Sequence, residues 1–188
     1  TVVAGVGEFS SFGVGGALAG VYRTTDGGAS WTHIDGGGLL TGLNISAVYV
    51  RGDFLLVAGT EFRFGAFIDL SISGIYRSTD GGASFELLGL FGGPNTFPTG
   101  TVFDMEGHAD DPATIFAAVA QTPGGAGNGV YRSDDFGGTW TRVSNPRMND
   151  LIVSGVTSNI ELSMYDGGGG ADVVYCAILN FGQLDNGG

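Results

Sequence analysis

Three times the chain sets a hydroxyl two residues ahead of a carboxylate, then a glycine two residues on and a large aromatic three after that. The sets are Thr24, Asp26, Gly28 and Trp31; Ser78, Asp80, Gly82 and Phe85; Ser133, Asp135, Gly137 and Trp140. A hydroxyl beside a carboxylate could do acid–base or nucleophilic work. The same pair can also satisfy the N–H groups of a tight turn, as in Asx and ST turns. Repetition, a glycine free to take positive φ and an aromatic able to bury on the order of 150–250 Å² all favour the turn. Each set is therefore expected to be a structural corner. Its carboxylate should be largely buried and bonded to backbone donors, and its aromatic should start the next strand and pack between neighbouring sheets.

Corners need strands to join. Tyr22, Tyr76 and Tyr131, just upstream of the sets, lie 54 and 55 residues apart, and a period of that size means repeated supersecondary units. The runs TVVAGV, LLVAGT, IFAAVA and VYCAIL, beginning at Thr1, Leu55, Ile115 and Val174, read as short buried strands. One unit is laid out as strands at 46–50, 54–60, 74–78 and 84–88, the next at 101–107, 114–120, 129–133 and 139–143. Four antiparallel strands per period with no helical periodicity is the blade of a β-propeller. The expected organisation is all-β: a half blade over 1–34, blades over 45–88 and 101–143, and a half blade over 151–188. A propeller closes with about four to eight blades. One more period from Tyr131 places the next tyrosine near position 186, so the chain reads as a partial ring belonging to a longer chain or a larger assembly.

The pattern S/T-x-D-x-G-x-x-W/F, matched at every defining position by all three sets, resembles the Asp-box, or BNR repeat. That repeat marks the propellers of sialidases, sortilin-type receptors, xyloglucan-hydrolysing enzymes and photosystem II assembly factors. The resemblance implies that each box turns the chain between the third and fourth strands of a blade. It also implies an extracytoplasmic location, secreted, periplasmic or at the cell surface.

Composition narrows the partners. The seven cations are all arginine against 19 Asp and Glu, a formal charge of −12. This excludes nucleic acid, whose phosphates need clustered Lys and Arg, and an anionic membrane surface. Basic partners suit the charge better. No apolar run reaches about 18 residues, so no transmembrane helix is expected. Cys176 stands alone and aligns with Val3, Val57 and Ala117 as a small core residue.

Weaker motifs read as turns. Arg51-Gly52-Asp53 spells an adhesion tripeptide but falls at the hairpin between first and second strands. Gly167 to Tyr175 fits a single nonapeptide of a calcium-binding β-roll, which needs stacked copies. No cofactor and no metal site is expected, a calcium ion near Asp166 or Asp172 being the one option left open. The arginines Arg23, Arg77 and Arg132 recur at one place per unit, unlike a carboxylate-binding triad converging from different places. His33 and His108 belong to no repeated set.

The repeat breaks down in the loops after the second and fourth strands, where function is expected. A polar residue ends each second strand, Glu8, Glu61, Gln121 and Asn180, with Phe9, Phe12, Phe62, Phe64 and Phe67 nearby. The binding set is Glu8, Phe9, Glu61, Phe62, Phe64, Gln121 and Asn180. Aromatics there suit the core of an interface or a glycan platform. The expected function is a non-catalytic recognition or scaffolding module for a protein or carbohydrate partner. The alternative is a glycoside hydrolase of the xyloglucanase or sialidase type, with acids drawn from Glu8, Glu61, Asp69 and Asp35, since two carboxylates about 5–10 Å apart could cleave a glycoside.

Overall fold

The computed structural model describes residues 1–7, 17–60, 71–89, 97–153, 157–167 and 172–180. They form two compact units, Thr1–Pro94 and Asn95–Gly188.

In the N-terminal unit β1 (Val2–Gly5), β2 (Val21–Thr24) and β3 (Thr32–Ile34) make a three-stranded antiparallel sheet in chain order. Next come β4 (Asn44–Arg51), β5 (Phe54–Thr60), β6 (Gly74–Ser78) and β7 (Glu86–Leu88), a complete four-stranded meander. The two sheets bury Val3 and Val21 from the first against Ile45, Leu55, Val57 and Tyr76 from the second, with Leu40 and Leu43 of the connection between them. Each such aliphatic contributes about 1.5–3 kcal/mol relative to exposure.

The C-terminal unit repeats the plan. Strands β8 (Thr101–Gly107), β9 (Ile115–Ala120), β10 (Gly129–Ser133) and β11 (Thr141–Arg142) form a second four-stranded meander, and β12 (Thr157–Tyr165) pairs with β13 (Val173–Asn180). Phe103, Phe116, Val130, Ile152, Ile160 and Leu162 fill its core, and Cys176 packs half-buried against it. Burial pushes the Cys176 thiol pKa up, with the Asp104 charge adding to it, so the small-core reading of this residue holds.

The first strand of each sheet that has one carries a register shift near its start: between Ile45 and Ala47, Val102 and Asp104, and Thr157 and Asn159. An extra residue there bends the strand and increases its twist.

The structure departs from the sequence reading at element ends. The fourth strands start later than expected, at Glu86 and Thr141, because Phe85 and Trp140 close the corner before pairing begins. The opening half blade holds three strands. Two short helical pieces, a 3-10 turn at Pro123–Gly125 and α1 (Pro146–Asn149), interrupt an otherwise β chain. Proline at the first helical position explains both, and Asn145 caps α1 by accepting from Met148 N–H. No helix among the described residues is long and apolar enough to cross a membrane.

Candidate functional site

The three corners are built alike. In the first, Thr24 Oγ1 donates to Asp26 Oδ1 at 2.7 Å and accepts from Gly28 N–H at 3.0 Å. Asp26 in turn accepts from Ser30 N–H at 3.0 Å and from the Ser30 hydroxyl at 2.6 Å. Ser78, Asp80, Gly82 and Ser84 repeat this network, as do Ser133, Asp135, Gly137 and Thr139. The box glycines take φ of 96°, 95° and 75°. The hydroxyl at Ser30, Ser84 and Thr139 was missed by sequence reasoning, although a Ser or Thr stands just before the aromatic in all three copies.

The corner reading survives with its polarity reversed. The carboxylates of Asp26, Asp80 and Asp135 are bonded to backbone donors as expected, but these residues are exposed. The buried partners are the hydroxyl residues Thr24, Ser78 and Ser133, at 3%, 2% and 1% exposure. The hydroxyl ends a strand and points inward, whereas the carboxylate sits on the turn's outer tip. The Ser30 hydroxyl, then its N–H and the Thr24 hydroxyl, hold Asp26 well below the usual carboxylate range. Ser84, through its hydroxyl and then its N–H, holds Asp80 at about 2. At Asp135 burial pushes upward, but the bonds from Thr139 and Ser133 outweigh it and the pKa is lowered. All three are anions by construction.

The aromatics differ. Trp140 is 3% exposed, Phe85 is half-buried, and Trp31 is 46% exposed, so the expected packing between sheets fails at Trp31.

The arginine column is consumed in ion pairs with three different partners. Arg23 pairs with Asp53 at 2.7 Å, and its other terminal nitrogen donates to Gly81 C=O at 3.1 Å. Arg77 donates to Glu86, and Arg132 to Asp134. Arg23 thereby ties the first sheet to the Gly52–Asp53 hairpin and to the second corner, and the adhesion tripeptide is a hairpin turn. Arg51 lies over the Tyr49 ring.

Of the candidate acids, Asp35 is the one among the described residues. Glu8, Glu61 and Asp69 lie outside them, as do Phe9, Phe12, Phe62, Phe64 and Phe67. Gln121 accepts from the Thr101 hydroxyl at 3.1 Å and sits at φ 58°, a left-handed backbone that non-glycine residues rarely take. Asn180 donates to Leu151 C=O at 3.0 Å. Both hold loops at the ends of second strands.

Asp35 lines a cleft of about 460 Å³ within the N-terminal unit. One wall is Thr32–Ile34 of β3 with Asp35–Gly37 beyond it, the other is the second corner, Asp80–Ala83, and Arg23, Thr25 and Ser30 complete the lining. The closeness of the walls comes from glycine: a Cβ on Gly82 would lie 2.9 Å from the Ile34 side chain, and one on Gly81 would lie 2.6 Å from Arg23 Nη1.

The polar groups lining the cleft are unevenly committed. Arg23 is spent on Asp53 and on carbonyls, and the Ser30 hydroxyl on Asp26. His33 Nε2 meets Ala19 C=O, which can only accept, so Nε2 carries a proton and that proton is already donated. The Asp35 carboxylate accepts one hydrogen bond among the described residues, from Gly37 N–H at 3.0 Å. The cleft is rich in acceptors and poor in free donors.

Two other groupings of ionisable side chains stand in the C-terminal unit. Asp104 accepts from Met105 N–H and from Leu162 N–H at 2.7 Å, tying β8 to β12. Burial outweighs those bonds and raises its pKa, and burial with the Asp104 charge raises Glu106. His108, Asp166 and Asp172 bring ligand atoms within 4.8 Å of one another. However, His108 Nδ1 accepts from the N–H groups of Asp110 and Asp111, so Nε2 carries the proton and donates to Asp172. That ring offers the two carboxylates a donor rather than a metal lone pair.

Structural comparison identifies the architecture. An ancestral GH74 enzyme matches with a TM-score of 0.50 at 16% identity, over 94% of this chain and 24% of its own. The fold is that of a β-propeller. YCF48 bound to D1 peptide also matches this propeller, with a TM-score of 0.42 at 17% identity over 69% of this chain and 35% of its own. The propeller chain thus spans well under half of either protein's length. No protein-family model matches the sequence, and no curated protein does.

Proposed function

We propose that this chain is a non-catalytic recognition or scaffolding segment of a larger, extracytoplasmic propeller protein that binds a protein or glycan partner through its variable loops. The observation that carries this reading is the state of the carboxylates in the cleft. A glycoside hydrolase needs one acid with a raised pKa facing a second carboxylate across an open site. Here Asp80 is held ionised by the Ser84 hydroxyl and N–H. Among the described residues, the carboxylates that burial does raise, Asp104 and Glu106, are on β8 of the C-terminal unit, where Asp104 is spent on the Leu162 amide.

The test is hydrolysis. The full chain should release no reducing ends from a panel of xyloglucan, sialylated and β-glucan oligosaccharides. Turnover that disappears in the combined Glu8→Gln, Glu61→Gln, Asp35→Asn variant would overturn the reading in favour of a hydrolase.

A further inference from the structure

The cleft beside β3 has a polarity that specifies its ligand. Its arginine is neutralised by Asp53, and its serine and imidazole protons are already donated within the protein. Asp35 contributes a carboxylate on one wall, with one hydrogen bond from Gly37 N–H, and Asp80 contributes another on the opposite wall. The Arg23 Nε–H has no partner but is buried within the protein, so a phosphate, sulfate or carboxylate would reach no free charged side-chain donor there and would meet two like charges. A neutral sugar, which needs donors as well as acceptors, would be limited to the Thr25 and Thr32 hydroxyls. A group that only donates and carries positive charge matches the inventory, and a charge of −12 attracts such a group from a distance.

We propose that the cleft between β3 and the second Asp-box is a docking site for a basic peptide segment of a partner protein, with an arginine or lysine side chain inserted against Asp35. This rests on the recognition reading above and names the partner class. A free polyamine carries the same chemistry. The partner-protein source is preferred because the cleft lies along β3, the outermost strand of its sheet, which pairs on its other side with β2. An extended chain laid there can add backbone hydrogen bonds that a small cation cannot.

Fluorescein-labelled acetyl-(Gly-Arg)4-amide, titrated with the full chain at about 50 mM salt, tests the proposal by fluorescence anisotropy. Binding should weaken about tenfold or more in Asp35→Asn, where the amide oxygen keeps the Gly37 bond and only the charge is lost. Thr32→Arg, which places a competing guanidinium in the cleft, should weaken it similarly while the circular dichroism spectrum is unchanged. Asp150→Asn removes one charge that does not line the cleft and should change binding less than about twofold, as expected for a solvent-screened charge.

Equal losses in Asp35→Asn and Asp150→Asn would mean non-specific attraction and overturn the site. So would absence of binding, equal affinity for acetyl-(Gly-Glu)4-amide, or displacement by agmatine or cellotetraose as effective as by unlabelled peptide. None of these results touches the hydrolysis assay, so failure here is distinguishable from failure of the recognition reading.

Discussion

The first and third corners carry the same hydroxyl and carboxylate hydrogen bonds, yet one ends in a tryptophan 46% exposed and the other in one 3% exposed. Trp140 donates its indole N–H to Gly137 C=O at 3.1 Å and meets the edge of Phe97 at 5.0 Å between ring centres. Phe97 lies outside the repeated motif and also packs on Tyr131. The motif carries two separable jobs. The hydroxyl and carboxylate bonds that turn the chain lie within the box, whereas anchoring the turn in a core depends on what another part of the chain supplies.

The largest expected effect tests that separation directly. Trp140→Ala should cost about 3–5 kcal/mol, and Trp31→Ala no more than about 1 kcal/mol, both read by urea denaturation with circular dichroism. Equal costs would mean that exposure does not report the anchoring. Next comes the inward hydroxyl. Ser133→Ala strands the Gly137 N–H and should cost about 1–3 kcal/mol, more than Asp135→Asn, whose amide still offers one acceptor; the reverse order would restore the carboxylate as the inner fastener.

Smaller still is a difference in backbone. Phe136 stands at φ 56° where the first corner has Gly27 at 75°. Since a left-handed conformation costs a residue with a Cβ about 1–2 kcal/mol, partly offset by the flexibility glycine adds to the unfolded chain, Phe136→Gly should stabilise by about 0.5–1 kcal/mol. A loss of stability would show that the Phe136 ring contributes more than its strain.

The smallest effect is in pH. The Asp26 and Asp135 carboxyls are lowered on folding. Their contributions are therefore complete above the unfolded value near 3.9 and are lost as pH falls through the folded ones. Melting temperature should decline on that limb, less steeply in the combined Asp26→Asn, Asp135→Asn variant. Asp104, raised by burial, has the opposite sign. Its contribution is complete below the unfolded value and lost as pH rises through the folded one. Replacing it should leave the box-dependent acid limb in place.

The sequence made the strands and corners legible because both are short-range. A β-branched run, a positive-φ glycine and a hydroxyl two residues from a carboxylate constrain the chain within about ten residues. It did not show which polar partner faces inward, because that depends on where Thr24 ends its strand and points between two sheets. Asp35 could be named from its loop. Its cleft could not, since Arg23 and Asp80 arrive from different sheets, and Asp80 belongs to a corner the pattern marks as scaffold. The donor state of His108 was equally hidden, being fixed by the amides of Asp110 and Asp111.

The side-chain bonds that make each corner reach no further than four residues along the chain. A stretch of eight residues is thus a portable joint in its side-chain bonds, to which the second and third copies add backbone bonds from Gly81 N–H to Asp53 C=O and from Phe136 N–H to Ala113 C=O. Burial of the aromatic depends on residues outside the box, and Trp31 and Trp140 show the two outcomes.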